Sequence, residues 1–269
     1  MNEKTIKLLE LYSSDLKELN IMGKNISGIL DLSRFTCLET LDCNSNSITT
    51  IINLSSSIKI LNCSWNKITT LENLQVNSLI SLNCGSNNII SLDNLSNSLE
   101  KLNCNWNKIT TLDNLPNNLK ILKCNNNNLS QLNNLPLCLI ELECFDCVNL
   151  TSLDYLPGSL LELNCNDCEN LSSLDLLPQS LIKLDCSHCY IPQLDNLPSS
   201  LKDLLCNYSS VKSLDNLPEN LEILECFGCK ITMLNNLPNS LIELSCNPDI
   251  QNLDEIKKQN PNIKFTRII

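Results

Sequence analysis

Residues 237–247 read LPNSLIELSCN, residues 217–227 LPENLEILECF, and residues 197–207 LPSSLKDLLCN. The phrase returns about every twenty residues, with cysteine in the same place each time. The column comprises Cys43, Cys63, Cys84, Cys104, Cys124, Cys144, Cys165, Cys186, Cys206, Cys226 and Cys246, spaced by 20 or 21 residues. A unit opens five residues before each cysteine. An earlier unit opens at Leu16, with Ile21 in the cysteine position, which makes twelve units. Within a unit, apolar residues stand at offsets 0, 3, 5, 10, 13 and 16, as in Leu79, Leu82, Cys84, Ile89, Leu92 and Leu95. The close spacing LxC is the alternation of a strand. The later spacings of three suit a chain turning around a core. One unit cannot bury its apolar side alone, but stacked units can. The repeated cysteine is then a small buried hydrophobe.

The chain has 269 residues, 42% of them hydrophobic, so a substantial core is expected. Alanine is absent, and there are five glycines, one histidine and seventeen cysteines. An odd cysteine count in a long chain, mostly where leucine or valine would serve, favours free thiols in a reducing cytoplasm. No apolar run approaches the ~18 residues of a membrane span. The first residues, MNEKTIKLLELYSSD, carry charges on both sides of a short apolar patch and no small-residue cleavage site, so no signal peptide is expected. A net charge of -11 opposes a nucleic-acid partner, which needs a basic face.

The motif LxxLxCxxNxIxxL, sustained over residues 16–253, resembles the leucine-rich repeat. Its 20-residue length and recurrent LPxxL are most similar to the short repeats of bacterial secreted effectors. The cysteine-bearing, Asn-rich version also resembles repeat proteins of amoebal giant viruses. The resemblance implies a curved leucine-rich-repeat solenoid with a parallel sheet on its concave side. In a virus or a secreted effector, the place of action would be the host-cell cytoplasm. Strands are expected to centre on Leu19, Leu41, Leu61, Leu82, Leu102, Leu122, Leu142, Leu163, Leu184, Leu204, Leu224 and Leu244. At ~4.8 Å per strand, twelve units give a face roughly 55 Å long. Pro116, Pro136, Pro157, Pro178, Pro198, Pro218 and Pro238 each follow leucine on the return segment. Proline disfavours helix in the residue before it, so the convex side is expected to be extended or 3₁₀.

The resemblance also implies an inward side chain at the ninth position, bonded to backbone groups at the turn. That position holds Asn46, Asn66, Asn87, Asn107 and Asn127, then Cys147, Cys168, Cys189, Ser209, Cys229 and Asp249, with Lys24 in the first unit. Asn offers donors and an acceptor there, whereas a thiol or hydroxyl donates one weaker bond. A thinner ladder is expected in the later units.

Residues 1–15 are expected to cap the solenoid as a short amphipathic helix with Ile6, Leu8, Leu9 and Leu11. Residues 16–252 are expected to form the solenoid, without a linker or a second domain. Residues 253–269 form the other cap, a helix from Leu253 to Gln259 stopped by NPN and a final strand over 263–268.

Candidate chemistry is sparse. Cys144/Cys147, Cys165/Cys168, Cys186/Cys189 and Cys226/Cys229 are CxxC pairs, and two such pairs can give four thiolates to zinc. A metal-binding or redox-responsive protein is therefore one alternative reading. Repeat position already explains each cysteine, so no metal or other cofactor is expected. Cys37 and Cys138 stand at corners before strands. His188, the one histidine, falls at an outward turn, and there is no Gly-rich phosphate loop and no HExxH. No enzyme is expected. A purely structural spacer is a further alternative.

The outward positions of LxxLxCxx are expected to be the third, fifth, seventh and eighth. Across the first six units they carry Glu18 and Asp42 against Lys101 and Lys123. Across the last six they carry Glu141, Glu143, Asp146, Glu162, Asp167, Asp185, Asp203, Glu225 and Glu243 against Lys183 alone. Six rings are expected on the same face, Trp65, Trp106, Phe145, His188, Tyr208 and Phe227. Outward aromatics anchor interfaces, and charge guides encounter. The expectation is a monomeric, non-catalytic scaffold holding a basic protein surface in the later half of the concavity, with Trp106 and Phe145 near the acidic boundary.

Overall fold

The structure is a computed structural model that describes residues 3–74 and 76–266. The chain divides into two compact units, residues 1–128 with 134–139, and residues 129–133 with 140–269. Each unit is built from repeats stacked on their neighbours, as the repeat pattern requires.

The first unit opens with helix α1 (Glu3–Glu10). Strands β1 (Glu18–Asn20), β2 (Ser27–Asp31), β3 (Thr40–Asp42), β4 (Ser47–Ile52), β5 (Ile60–Asn62), β6 (Ser81–Asn83), β7 (Lys101–Asn103) and β8 (Ile121–Lys123) follow. The parallel ladder runs β1-β3-β5-β6-β7-β8. In the second unit β9 (Glu141–Glu143), β10 (Glu162–Asn164), β11 (Lys183–Asp185), β12 (Asp203–Leu205), β13 (Ile223–Glu225) and β14 (Glu243–Ser245) precede helix α2 (Leu253–Gln259) and β15 (Lys264–Thr266). These strands pair in parallel in chain order.

All twelve expected centres are the middle residues of three-residue strands. The leucines stand in register, as Leu41↔Leu61 and Leu163↔Leu184 do, and each is at most 2% exposed. The cysteines two residues on are equally buried.

What ends each repeat strand before β14 is a left-handed turn at the eighth position. Trp65, Trp106, Asp146, Asp167, His188 and Tyr208 all have φ between 54° and 58°, and Gly228 has 74°. For a residue with a Cβ this conformation costs ~1–2 kcal/mol. A backbone ladder offsets it. The eighth N–H donates to the seventh residue of the next repeat, to its carbonyl as from Trp65 to Gly85 at 2.9 Å and from His188 to Asn207 at 2.8 Å, or, from Gly228, to Asn247 Oδ1 at 2.6 Å.

The ninth side chain ties the repeats together. Asn66 Nδ2 donates to the carbonyls of Cys43, Cys63 and Ser64, all at 3.1 Å, and its Oδ1 accepts the Ile48 N–H at 2.8 Å. Later units rely on a thiol instead. Cys168, Cys189 and Cys229 donate from Sγ to the carbonyls of Cys144, Cys165 and Cys206 at 3.3, 3.1 and 2.9 Å. In two 21-residue units the extra residue follows the ninth position. There the chain closes its own turn, with Leu150 N–H on Cys147 O and Leu171 N–H on Cys168 O.

The return segments are irregular, with one 3₁₀ turn at Glu72–Leu74. The carbonyl of each proline before a strand accepts the N–H three residues on, as Pro116 O does from Leu119 at 3.1 Å, and so delivers the chain to the next strand. The early repeats differ. Their return segments pair as the parallel ribbon β2–β4. The run SITTII in β4 is rich in β-branched residues, which favour that extended pairing.

Both end helices occur. In α1 only Thr5 and Leu9 are buried, while Ile6 is 41% and Leu11 80% exposed, so the apolar set does not all turn inward as expected. Helix α2 ends at Asn260, whose N–H and Nδ2 both donate to Ile256 O. The final strand is described over Lys264–Thr266; residues 267 and 268 of the expected strand lie outside the described residues. Among the described residues no helix is long and apolar enough to cross a membrane.

Candidate interaction face

Each strand places its third and fifth side chains on either side of the buried leucine. In the second unit, register aligns the third positions as Glu141, Glu162, Lys183, Asp203, Ile223, Glu243 and Lys264. The fifth positions align as Glu143, Asn164, Asp185, Leu205, Glu225, Ser245 and Thr266. Carboxylates thus stand in adjacent places, as Glu141 does beside Glu162. Around them lies a shallow recess of ≈ 210 Å³, with Glu143, Lys183, Asp185 and Asp203 in its lining. Burial raises the Asp203 carboxyl above its ordinary value, with Lys183 opposing and Glu222 and Glu162 adding to the rise.

The acidic excess is partly compensated. Lys183 lies 3.5 Å from Glu162, and Lys264 lies 3.0 Å from Glu243. Lys264 escaped sequence reasoning because its strand departs from the repeat motif. Its register with Glu243 is a tertiary result.

The fifth position also has structural work. Asn62 and Asp185 each accept, on Oδ1, the backbone N–H two residues on, which opens the turn. In the second unit Asp185 is additionally held by Asn166 Nδ2 at 3.2 Å, and Glu225 by Asn207 Nδ2 at 2.7 Å.

The seventh position is a correction. It was grouped with the outward positions, but Ser64, Asn125, Ser187 and Asn207 are buried. Neighbouring repeats stand close enough for these side chains to bond groups of the next repeat. Asn207 Oδ1 accepts the Phe227 N–H while its Nδ2 holds Glu225. Phe145 and Phe227, also at the seventh position, are half-buried rather than freely outward. The turn-borne rings are the exposed ones. Trp65 is 68%, Trp106 60% and Tyr208 51% exposed, and His188 is exposed as well. Asp167 is exposed beside them in sequence position, and Asp146 is half-buried.

Three rings of the second unit meet. His188 stacks on Tyr208 with centroids 4.9 Å apart and planes 21° apart, and Phe227 meets Tyr208 edge-on at 5.6 Å. Gly228 makes the room, because a Cβ there would collide with the Tyr208 ring.

The seventeen cysteines are free thiols. Burial pushes Cys63 up to about 12 and raises Cys186 well above its ordinary value. Cys229 goes the other way, to about 7, because the Cys206 thiol and Ser209 stabilise its charge against burial. Among the described residues no three His, Cys, Asp or Glu side chains are arranged to hold a metal ion.

No protein-family model matches the chain, and no curated protein matches it. Solved structures do. YopM from Yersinia enterocolitica is 26% identical over 86% of this chain and 66% of its own, with a TM-score of 0.55. The functional domain of InlJ from Listeria monocytogenes, described as including a cysteine ladder, is 25% identical over 87% of this chain and 64% of its own, with a TM-score of 0.61. This chain thus spans just under two thirds of either structure. The internalin InlF from Listeria monocytogenes shares the fold at 17% identity, covering 98% of this chain and 89% of its own, with a TM-score of 0.70.

Proposed function

We infer that this leucine-rich-repeat protein is a non-catalytic scaffold that binds another protein through its strand face. The second unit presents carboxylates to a basic surface there. One observation carries the reading: the register of β9 to β14 gathers Glu141, Glu143, Glu162, Asp185, Asp203, Glu225 and Glu243 on one face against Lys183. Such a face raises association rates with a cationic partner and disfavours anionic ones, nucleic acid included. The Asp203 carboxyl, raised chiefly by burial and further by Glu222 and Glu162, fits this reading, since a half-buried acid on a sheet brings no folding advantage. Free thiols throughout fit action in a reducing cytoplasm.

The test is charge reversal on the strand face, Glu143→Lys with Asp203→Lys, which spares Asp185, whose carboxylate opens a turn. Association with a basic protein partner should slow. Unchanged association would refute the reading.

A further inference from the structure

The acidic face accounts for attraction to a basic surface but not for the ring stack beside it. Three rings at neighbouring turns are held in one arrangement. The backbone ladder fixes their spacing, with His188 N–H on Asn207 O at 2.8 Å and Tyr208 N–H on Phe227 O at 2.7 Å. Tyr208 stacks on His188, meets Phe227 in a T-shaped contact and packs against the bare Cα of Gly228. One face of His188 lies on Tyr208, and the residue is exposed. The next turn on its open side is that of Asp167, one repeat back, joined through Asp167 N–H on Ser187 O at 3.0 Å. The Asp167 side chain is exposed, and no hydrogen bond among the described residues engages its carboxylate. A flat open ring face with a carboxylate one repeat away, about 4.8 Å along the ladder, is a place for a planar cation.

We propose that the His188–Tyr208–Phe227 stack and Asp167 form an arginine-reading site, where a guanidinium of the partner lies on the open face of His188 and donates its N–H groups to Asp167. The proposal rests on the reading of a basic partner and narrows it to arginine. A guanidinium is planar and weakly hydrated, so it stacks on a ring while bonding a carboxylate in its own plane. A lysine ammonium meets the carboxylate but does not stack in this way. Charge complementarity selects a basic segment, and ring geometry selects arginine within it.

The experiment uses the full chain and two labelled synthetic peptides of equal length and charge, one alternating arginine with glycine and one alternating lysine with glycine. Binding is read by fluorescence anisotropy. The arginine peptide should bind about two- to fivefold tighter. His188→Asn removes the ring, and Asn tolerates the left-handed turn. It should abolish the preference and leave lysine-peptide affinity unchanged. A second readout needs no variant. The single histidine gives one imidazole Hε1 signal in the NMR spectrum, which the arginine peptide should shift and the lysine peptide should not. Equal affinities, or a preference that survives His188→Asn, would overturn the arginine site and leave the acidic face standing. Failure of both peptides to bind at low salt would overturn both.

Discussion

The side-chain amide of Asn87 donates to the carbonyl of Cys63, in the repeat before it, at 3.0 Å. The same amide holds Cys84 and Gly85, and its oxygen accepts the N–H of Ile68. One buried residue thus satisfies backbone groups of two repeats. Asn87→Ala leaves them orphaned and should cost about 2–4 kcal/mol in a denaturant melt. Asn87→Cys keeps one donor and should cost less, because Cys189 and Cys229 already serve in that role. An unchanged midpoint for Asn87→Ala would contradict the ladder's part in stability.

The strand leucines carry the core. Leu122 is fully buried in the middle of β8. Leu122→Ala should cost about 2–5 kcal/mol, through lost burial and the cavity left behind. A loss under 1 kcal/mol in chemical denaturation would mean that the repeats repack around it.

Thiol reactivity should follow burial and charge. Cys37 is exposed and should alkylate first in the native protein. Cys229, drawn down to about 7, should react before Cys226, which burial raises well above its ordinary value. Cys63 should react only once denatured. Peptide mapping after timed iodoacetamide treatment gives the order. Labelling of Cys63 as fast as Cys37 would contradict the packing.

Asp203 yields a pH prediction. Its carboxyl is raised in the folded protein, so the native state holds that proton more tightly than the unfolded chain does. Its contribution to stability therefore falls as pH rises through the carboxylate range, and the charged group is a burden at neutral pH. Asp203→Asn should raise the unfolding midpoint at pH 7. The gain should vanish well below the ordinary carboxylate value of ~3.9. A lower midpoint at pH 7 would show that the charge is locally favourable.

Much of this was legible in the sequence because the repeat imposes one environment per position. Leucine and cysteine spacing located the centres of the twelve repeat strands, and the ninth-position change from Asn66 to Cys168 foretold a thinner ladder. What could not be read came from neighbours in space. The seventh position looked outward by strand alternation, yet Asn207 is buried, because the turn ends the alternation and adjacent repeats enclose the side chain. Lys264 joined Glu243 only through pairing of β15, outside the motif. The ring stack depends on Gly228, whose missing Cβ has meaning only beside Tyr208. The β2–β4 ribbon was written in the β-branched run of Ser47–Ile52, a signal hidden among return segments read as uniformly extended.

The central claim is that the strand face of the second unit attracts a basic protein. The measurement that tests it most directly is the association rate of a basic protein partner as a function of salt, for the native chain and for Glu143→Lys with Asp203→Lys. The account predicts a rate that falls steeply with salt for the native chain, with a slower rate and a flatter slope for the double reversal. The same rate and slope for both, with both proteins folded, would contradict it.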